Sequence, residues 1–476
     1  MSTNLLANNN PVTHLQAFAY ASPVAGCYFF YVPMFGILPA LYIQYFGIGL
    51  AAMGMATLLL RVFDAVCDPS IGYLADRHRA QGGRRQSWVI AGTVGATIAG
   101  FYLFNPVASV SLSYYFAASV LFFLCFTMAE VPGQAWGGEL TPDYNQRARV
   151  YGARNIMMNA GVLAFYLLPL MPFYPGNSYT PVVLADAFYW GAAIAIAGLL
   201  FVTKHSPVSN NSPLQQSQLP AESPLQFIQS HYHNRPLLIF SGAYAFIGIS
   251  LGMWFGLMYF YIDSYLKLGE QLFIMLAVGV FMGFIAGPFW PWLVARTNKK
   301  TAWLIGESLL SLQFLATWLV GPDASWWFYL VFVSLAYLSF SCSNVAMLAV
   351  LADIVDYGKL KFSRDRGASY FAFGGLIYKT GLGIGAGLSL MIAGFYGFDP
   401  AATDFNADAL FGLKLGFIYI PLVCSLLAMA FTLSMPINRQ RYQIIQRRLA
   451  QRAARQQSRI ALAGGVVADE PLIENT

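Results

Sequence analysis

Stretches of about 20 or more mostly apolar residues recur from near residue 15 to residue 435, and each is long enough to cross a hydrocarbon core of about 30 Å. Lipid offers no water to backbone N–H and C=O groups, so a span of this length has to satisfy them internally, as a helix. Charged residues make up only 10% of the 476-residue chain, against roughly 25% in soluble domains, which leaves little chain for a water-exposed domain. The runs predict twelve helices, near 16–44, 48–76, 87–106, 110–139, 147–172, 180–203, 236–266, 271–296, 301–320, 326–356, 368–397 and 409–435.

Orientation follows from the basic residues. With the helices numbered in order, the connections after even-numbered helices and the tail hold 22 of the 27 Lys and Arg, while the opposite loops hold only Lys267. The positive-inside rule puts that basic side, and with it both termini, in the cytoplasm. The expected setting is a plasma or inner membrane. MSTNLLANNNPV at the start has no basic n-region or cleavage site, so the first helix is expected to be retained. A net charge of +6 needs only the lipid surface to explain it, and no nucleic-acid partner is expected.

The polar stretch from Lys204 to Pro224 reads as a flexible linker that divides the spans six and six. The expected organisation is an N-terminus over 1–15, a first bundle over 16–203, a linker over 204–235, a second bundle over 236–435 and a basic tail over 436–476. The tail's RQRYQIIQRRLAQRAARQQSR suits a helix lying on anionic lipid. Two segments repeat between the halves. GELTPDYNQRARVYGAR follows the fourth helix and LADIVDYGKLKFSRDRGAS the tenth, each with an acid (Glu139, Asp353) ahead of an Asp-Tyr pair and a basic run. Such internal repeats build transporters with a site at the repeat interface.

A charge at a helix centre costs roughly 2.5–3.5 kcal/mol on insertion scales, so each one calls for a partner or a polar cavity. LLRVFDAVCDPSIGYLAD places Arg61, Asp64 and Asp68 at i, i+3 and i+7, on one helix face. Two carboxylates one turn apart make a hard-oxygen site for a small monovalent cation or a shared proton. The plainer alternative, in which Arg61 merely neutralises Asp64, leaves Asp68 unexplained. Pro69 could free a backbone carbonyl beside the pair. Glu130 lies at similar depth and is a third candidate ligand. Arg154 is expected to clamp Glu130 or a solute, and Lys379, next to Tyr378 in GGLIYKTGLG, to face the carboxylates across a cavity. Glu307 and Asp353, near helix ends, read as gate or loop clamps. GLGIGAG at membrane depth reads as close helix packing rather than a phosphate loop.

The five cysteines stand singly in apolar segments, with no spacing for a metal or a disulfide framework. No Ser/His/Asp set and no carboxylate pair beside a soluble cleft is present, which argues against an enzyme. No cofactor or metal beyond a coupling cation is expected.

RVFDAVCDPSIGYLADRHRAQGGRRQSW, with its Asp-x3-Asp-Pro-x2-Gly-x3-Asp-Arg core, resembles the glycoside-pentoside-hexuronide:cation symporters, the melibiose-permease branch of the major facilitator superfamily. The resemblance extends to VPGQAWGGELTPDYNQRARVYGARN and DIVDYGKLKFSRDRGASYFAFGGLIYKTG, in both halves. It implies an all-α polytopic fold of twelve transmembrane helices in two six-helix bundles around a central cavity, a single chain being the expected transport unit. It also implies alternating-access symport of a sugar with Na+, Li+ or H+. Carried over by motif, Asp64, Asp68 and Glu130 are cation ligands, Glu130 also touches sugar, and Arg154 and Lys379 line the cavity. Arg61 is the cavity charge partner of the carboxylates, and Tyr28 and Tyr378 join the solute site. In an alternating-access mechanism Asp76, Arg77, Arg84, Arg85, Asp143, Arg147 and Asp356 are expected to form the cytoplasmic gate.

Two positions depart from the pattern: Tyr28 stands where the sugar permeases have an aspartate, and Glu130 replaces an aspartate. A less polar solute, such as a lysolipid, is the alternative cargo. A solute sensor and an ion-independent uniporter are the alternative functions.

Overall fold

The computed structural model describes residues 12–106, 110–140, 144–205, 233–322, 324–362, 367–400, 402, 404–436, 440–445, 447–452 and 454. Among these there is no strand. The helices are α1 (His14–Tyr31), α2 (Ile37–Phe46), α3 (Leu50–Ala80), α4 (Arg85–Phe104), α5 (Leu112–Glu139), α6 (Tyr144–Leu167), α7 (Pro181–His205) and α8 (Arg235–Phe260). They are followed by α9 (Gly269–Arg296), α10 (Lys299–Leu319), α11 (Trp326–Cys342), α12 (Leu348–Phe362), α13 (Gly367–Phe395), α14 (Ala407–Lys414) and α15 (Ile420–Leu433). Nine described helices or runs of helix are long and apolar enough to cross a bilayer, and ten if the bent pair α1–α2 is one span. Of the rest, α6 carries the arginines that lower its apolar character, and α11 has only 17 residues.

Polar side chains start the helices. Thr13 and Gln16 exchange hydrogen bonds in a capping box ahead of α1, while Asn234, Asn298 and Asn406 accept from backbone N–H groups at the starts of α8, α10 and α14. The first expected span is not straight. Val32–Phe35 forms a 3₁₀ turn around Pro33, and α2 leaves at 57° to the preceding segment. Three other spans contain π turns, at Tyr261–Tyr265, Ser343–Met347 and Leu415–Tyr419. Pro69, by contrast, sits inside an unbroken α3.

In the first half α1 packs on α6 and α7, and α4 and α3 pack on α5; in the second, α8 packs on α13 and α15, and α11 on α9 and α10. The halves meet along α3–α13 and α6–α9. The GLGIGAG run serves two neighbours: Gly381 and Gly385 face α8, whereas Gly383 faces Arg61 and Gly387 faces Gly54 on α3. A Cβ built at Gly54 would sit 2.7 Å from the Gly387 carbonyl oxygen, so the two backbones approach as closely as they do only because both residues lack one.

Contacts joining the halves gather toward the end opposite the basic loops. Tyr259 donates to Gln44 Oε1 (3.1 Å), Tyr337 to the Tyr166 hydroxyl (3.2 Å), and the Tyr179 and Phe273 rings meet edge to face. Residues 206–232, most of the expected linker, lie outside the described residues. Tail residues 440–445 and 447–452 are helical and lie against the second half, where Arg452 donates to the Leu360 carbonyl (2.6 Å).

Candidate functional site

Six charged side chains from α3, α5, α6 and α13 meet at mid-depth as three ion pairs. Arg61 donates to Asp64 Oδ2 at 2.7 Å and lies between the Phe35 and Phe123 rings, 4.5 and 4.6 Å from their centroids. Only 4% of Arg61 is exposed, so its guanidinium is surrounded by aromatic rings and protein rather than water. Asp64 Oδ1 is buried with no hydrogen-bond partner.

One turn on, Asp68 accepts from Thr127 Oγ1 (2.9 Å) and from Lys379 Nζ (2.8 Å). The Lys379–Asp68 pair joins α13 to α3 and therefore bridges the two halves. Asp64 and Asp68 share a small recess with Arg61, Ala65, Leu376, Lys379 and Thr380. The pair read from the i, i+3, i+7 spacing is thus formed, with Lys379 facing it from the other half.

Glu130 is not brought to that pair. It lies in a separate recess with Tyr20, Cys27 and Arg154. Arg154 reaches its Oε2 at 2.5 Å, and Gln134 and Tyr28 donate to Oε1 at 2.7 and 3.2 Å. Four groups from α1, α5 and α6 are tied together there, with Glu130 6% exposed. Among the described residues no three His, Cys, Asp or Glu come together as a metal site. A cation between Asp64 and Asp68 would therefore complete its shell with neutral oxygens.

Beside these pairs, between the halves, lies a cavity of about 240 Å³. It runs from Tyr166, Val280 and Tyr337 toward Asn155 and Gly287, which are nearer the basic end. Tyr28 lines it, as expected. Tyr378 does not: its ring stacks on Tyr244 of α8 at 4.8 Å. Sequence reading missed Asn155, Asn159, Tyr166, Phe255, Phe284, Tyr337 and Phe340, all of which line the cavity. Asn155 and Asn159, at i and i+4 in RNIMMNAG, were the one available signal; the aromatic residues are indistinguishable from packing in a chain with 16% aromatics.

At the basic end, Arg85 bridges Asp76 (2.6 Å) and Glu139 (2.6 Å), and Arg79 reaches Glu139 at 3.3 Å. In the second half Lys299 reaches Asp353 at 2.5 Å. Arg85 and Lys299 each open the third long helix of their half, and Glu139 and Asp353 are the equivalent acids of the two repeat segments, so the repeat reappears as matched clamps. Of the other gate candidates, Arg77 and Arg84 are exposed and Asp356 is half-buried on α12. Asp143 lies outside the described residues, and only the backbone of Arg147 is described. Glu307 is buried and accepts from Thr432 Oγ1 at 2.8 Å.

A helical membrane bundle with a cavity between two half-repeats and paired charges at mid-depth defines a transporter rather than an enzyme. The chain belongs to the MFS/sugar transport protein family, whose model matches residues 19–439. It is 26% identical over 402 residues to the glucuronide carrier protein homolog of Escherichia coli (strain K12), covering 81% of this chain and 84% of that one. The symporter YnaJ of Bacillus subtilis (strain 168) is 24% identical, with 94% of this chain and 97% of the relative covered. Among solved structures, the crystal structure of the nucleoside transporter NupG superposes with a TM-score of 0.63 at 13% identity, covering 90% of this chain and 100% of that one, a likeness of fold. These relatives bear out the symporter resemblance carried by the α3 motif.

Proposed function

We propose that the protein couples a cation, Na+, Li+ or H+, to symport of a small glycoside by alternating access, with the basic end in the cytoplasm. The observation that carries this reading is the Lys379–Asp68 bridge between the halves, beside Asp64 with its unpartnered buried oxygen. An unmatched carboxylate oxygen at membrane depth is costly to keep, and a visiting cation relieves that cost. The lysine ammonium neutralises Asp68, and an arriving cation competes with it. Releasing Lys379 loosens the tie between α3 and α13, which couples ion occupancy to the relation of the two halves. Ion and solute then favour each other's binding by roughly 1–3 kcal/mol, equally in both directions. With the basic end inside, the conformation described is sealed toward the outside.

The test is uptake into proteoliposomes with imposed sodium, lithium or proton gradients. Asp64→Asn and Asp68→Asn are expected to abolish gradient-driven accumulation while preserving solute exchange at equal concentrations. Normal accumulation by both variants, or uptake indifferent to every gradient, would falsify the coupling. A second reading, transport of an amphipathic solute such as a lysolipid, is favoured by the aromatic cavity wall; vesicles loaded with lysolipid in the same assay separate the two.

A further inference from the structure

We propose that the solute is a net-neutral glycoside bearing a compact apolar group, preferably an aromatic ring, rather than a hexuronide or a bare sugar. This rests on the carrier reading of the same cavity and adds to it the chemistry of the cargo. Among the described residues lining the cavity, none is charged. The polar groups there are tyrosine hydroxyls, the amides of Asn155 and Asn159, and Ser341. These hydrogen-bond uncharged hydroxyls without asking for a counter-ion. Asn159 Nδ2 donates to the Asn155 carbonyl (2.8 Å) and to Asn155 Oδ1 (3.4 Å), so the two amides act as a linked pair.

The charges bordering the cavity are matched internally. Arg154 is held by Glu130, Arg61 by Asp64 and Lys379 by Asp68. A carboxylate on the solute would enter a chamber whose described lining offers no cation, since Lys379, even when a coupling ion releases it from Asp68, stands in the neighbouring recess and not in the cavity wall. The solute charge would be left uncompensated in low dielectric. A neutral solute avoids that cost.

The wall, meanwhile, is supplied largely by rings: Tyr28, Tyr31 and Phe35 on one side, Phe255, Phe284 and Phe340 on the other. A bare sugar would leave much of this apolar surface facing water, whereas an aglycone ring covers it. A volume of about 240 Å³ lies just under the roughly 300–1,000 Å³ of pockets for drug-sized ligands, which suits one sugar ring with one small substituent and not a long acyl chain.

The experiment is counterflow in proteoliposomes of the full-length protein, using phenyl, methyl and phenyl-uronide forms of the same β-hexoside in gluco and galacto series, with lysophosphatidylcholine and a broad solute panel alongside. The phenyl hexoside is expected to half-saturate exchange at a concentration at least about tenfold below the methyl one, with the uronide not exchanged. Phe284→Ala is expected to shrink that phenyl-to-methyl advantage several-fold, its melting temperature showing that it is folded. Phe340→Leu serves if Phe284→Ala is unfolded.

Preferred exchange of the uronide, equal affinity for phenyl and methyl forms, or exchange only of lysolipid or another non-glycoside overturns the proposal and leaves the carrier reading standing. Silence across the whole panel removes both.

Discussion

At the scale of single residues, the intramembrane charges were legible because each is expensive. Arg61, Asp64, Asp68, Glu130, Arg154 and Lys379 were picked out by insertion cost alone, and all six take part in buried or half-buried ion pairs. Their grouping was less legible, since helix position gives depth but not azimuth around the bundle: Glu130 lies at the depth of the aspartates yet in another recess. The Glu130–Arg154 pair is strongly buried on both sides. Arg154→Met is therefore expected to destabilise the protein by about 3–5 kcal/mol, because it strands a buried carboxylate, and the double variant with Glu130→Leu to recover much of that loss. Thermal melting of the three variants in one detergent checks this, and additive losses would show that the pair is not coupled. Glu307 makes a gentler case. Glu307→Gln keeps an acceptor for Thr432 and is expected to melt near wild type, whereas Glu307→Leu leaves the Thr432 hydroxyl unmatched, costing about 1–3 kcal/mol.

At the scale of elements, apolar runs located the helices but not their interruptions. The break at Val32–Phe35 rests on Pro33 and on Gly36, which packs against the Phe255 backbone of the other half, a contact no local pattern announces. The π turns at Ser343–Met347 and Leu415–Tyr419 add one residue per turn without changing hydropathy, so a window of apolar residues reads straight through them. Close packing at GLGIGAG was legible, though not its division between α8 and α3. Gly54→Leu and Gly387→Leu are each expected to wedge α3 from α13 and shift the carrier toward conformations open at the low-charge end. Substituted cysteines near Gln44 should then become more reactive to impermeant reagents applied from outside; unchanged reactivity would mean that this glycine contact does not seal the cavity.

At the scale of the whole molecule, the two halves carry matching clamps, Arg85 with Glu139 and Lys299 with Asp353, while the ties between them run from the mid-depth Lys379–Asp68 pair toward the other end. A cavity sealed on one side has one direction of entry. With the five native cysteines replaced, Asn155→Cys in right-side-out vesicles is expected to resist an impermeant thiol reagent, and in inverted vesicles to react and be protected by solute. The opposite pattern would reverse the orientation drawn from the basic loops.

The sum of the six central charges is zero: three cations answer three anions. An electric field across the membrane therefore does little net work on these groups when the carrier reorients unladen. Under the coupling proposed above it acts instead on the passenger ion, at about 2.3 kcal/mol per charge for every 100 mV. Voltage should then drive the laden stroke and leave the return stroke nearly indifferent, a rectification that comes from a lysine balancing the account whenever the ion is away.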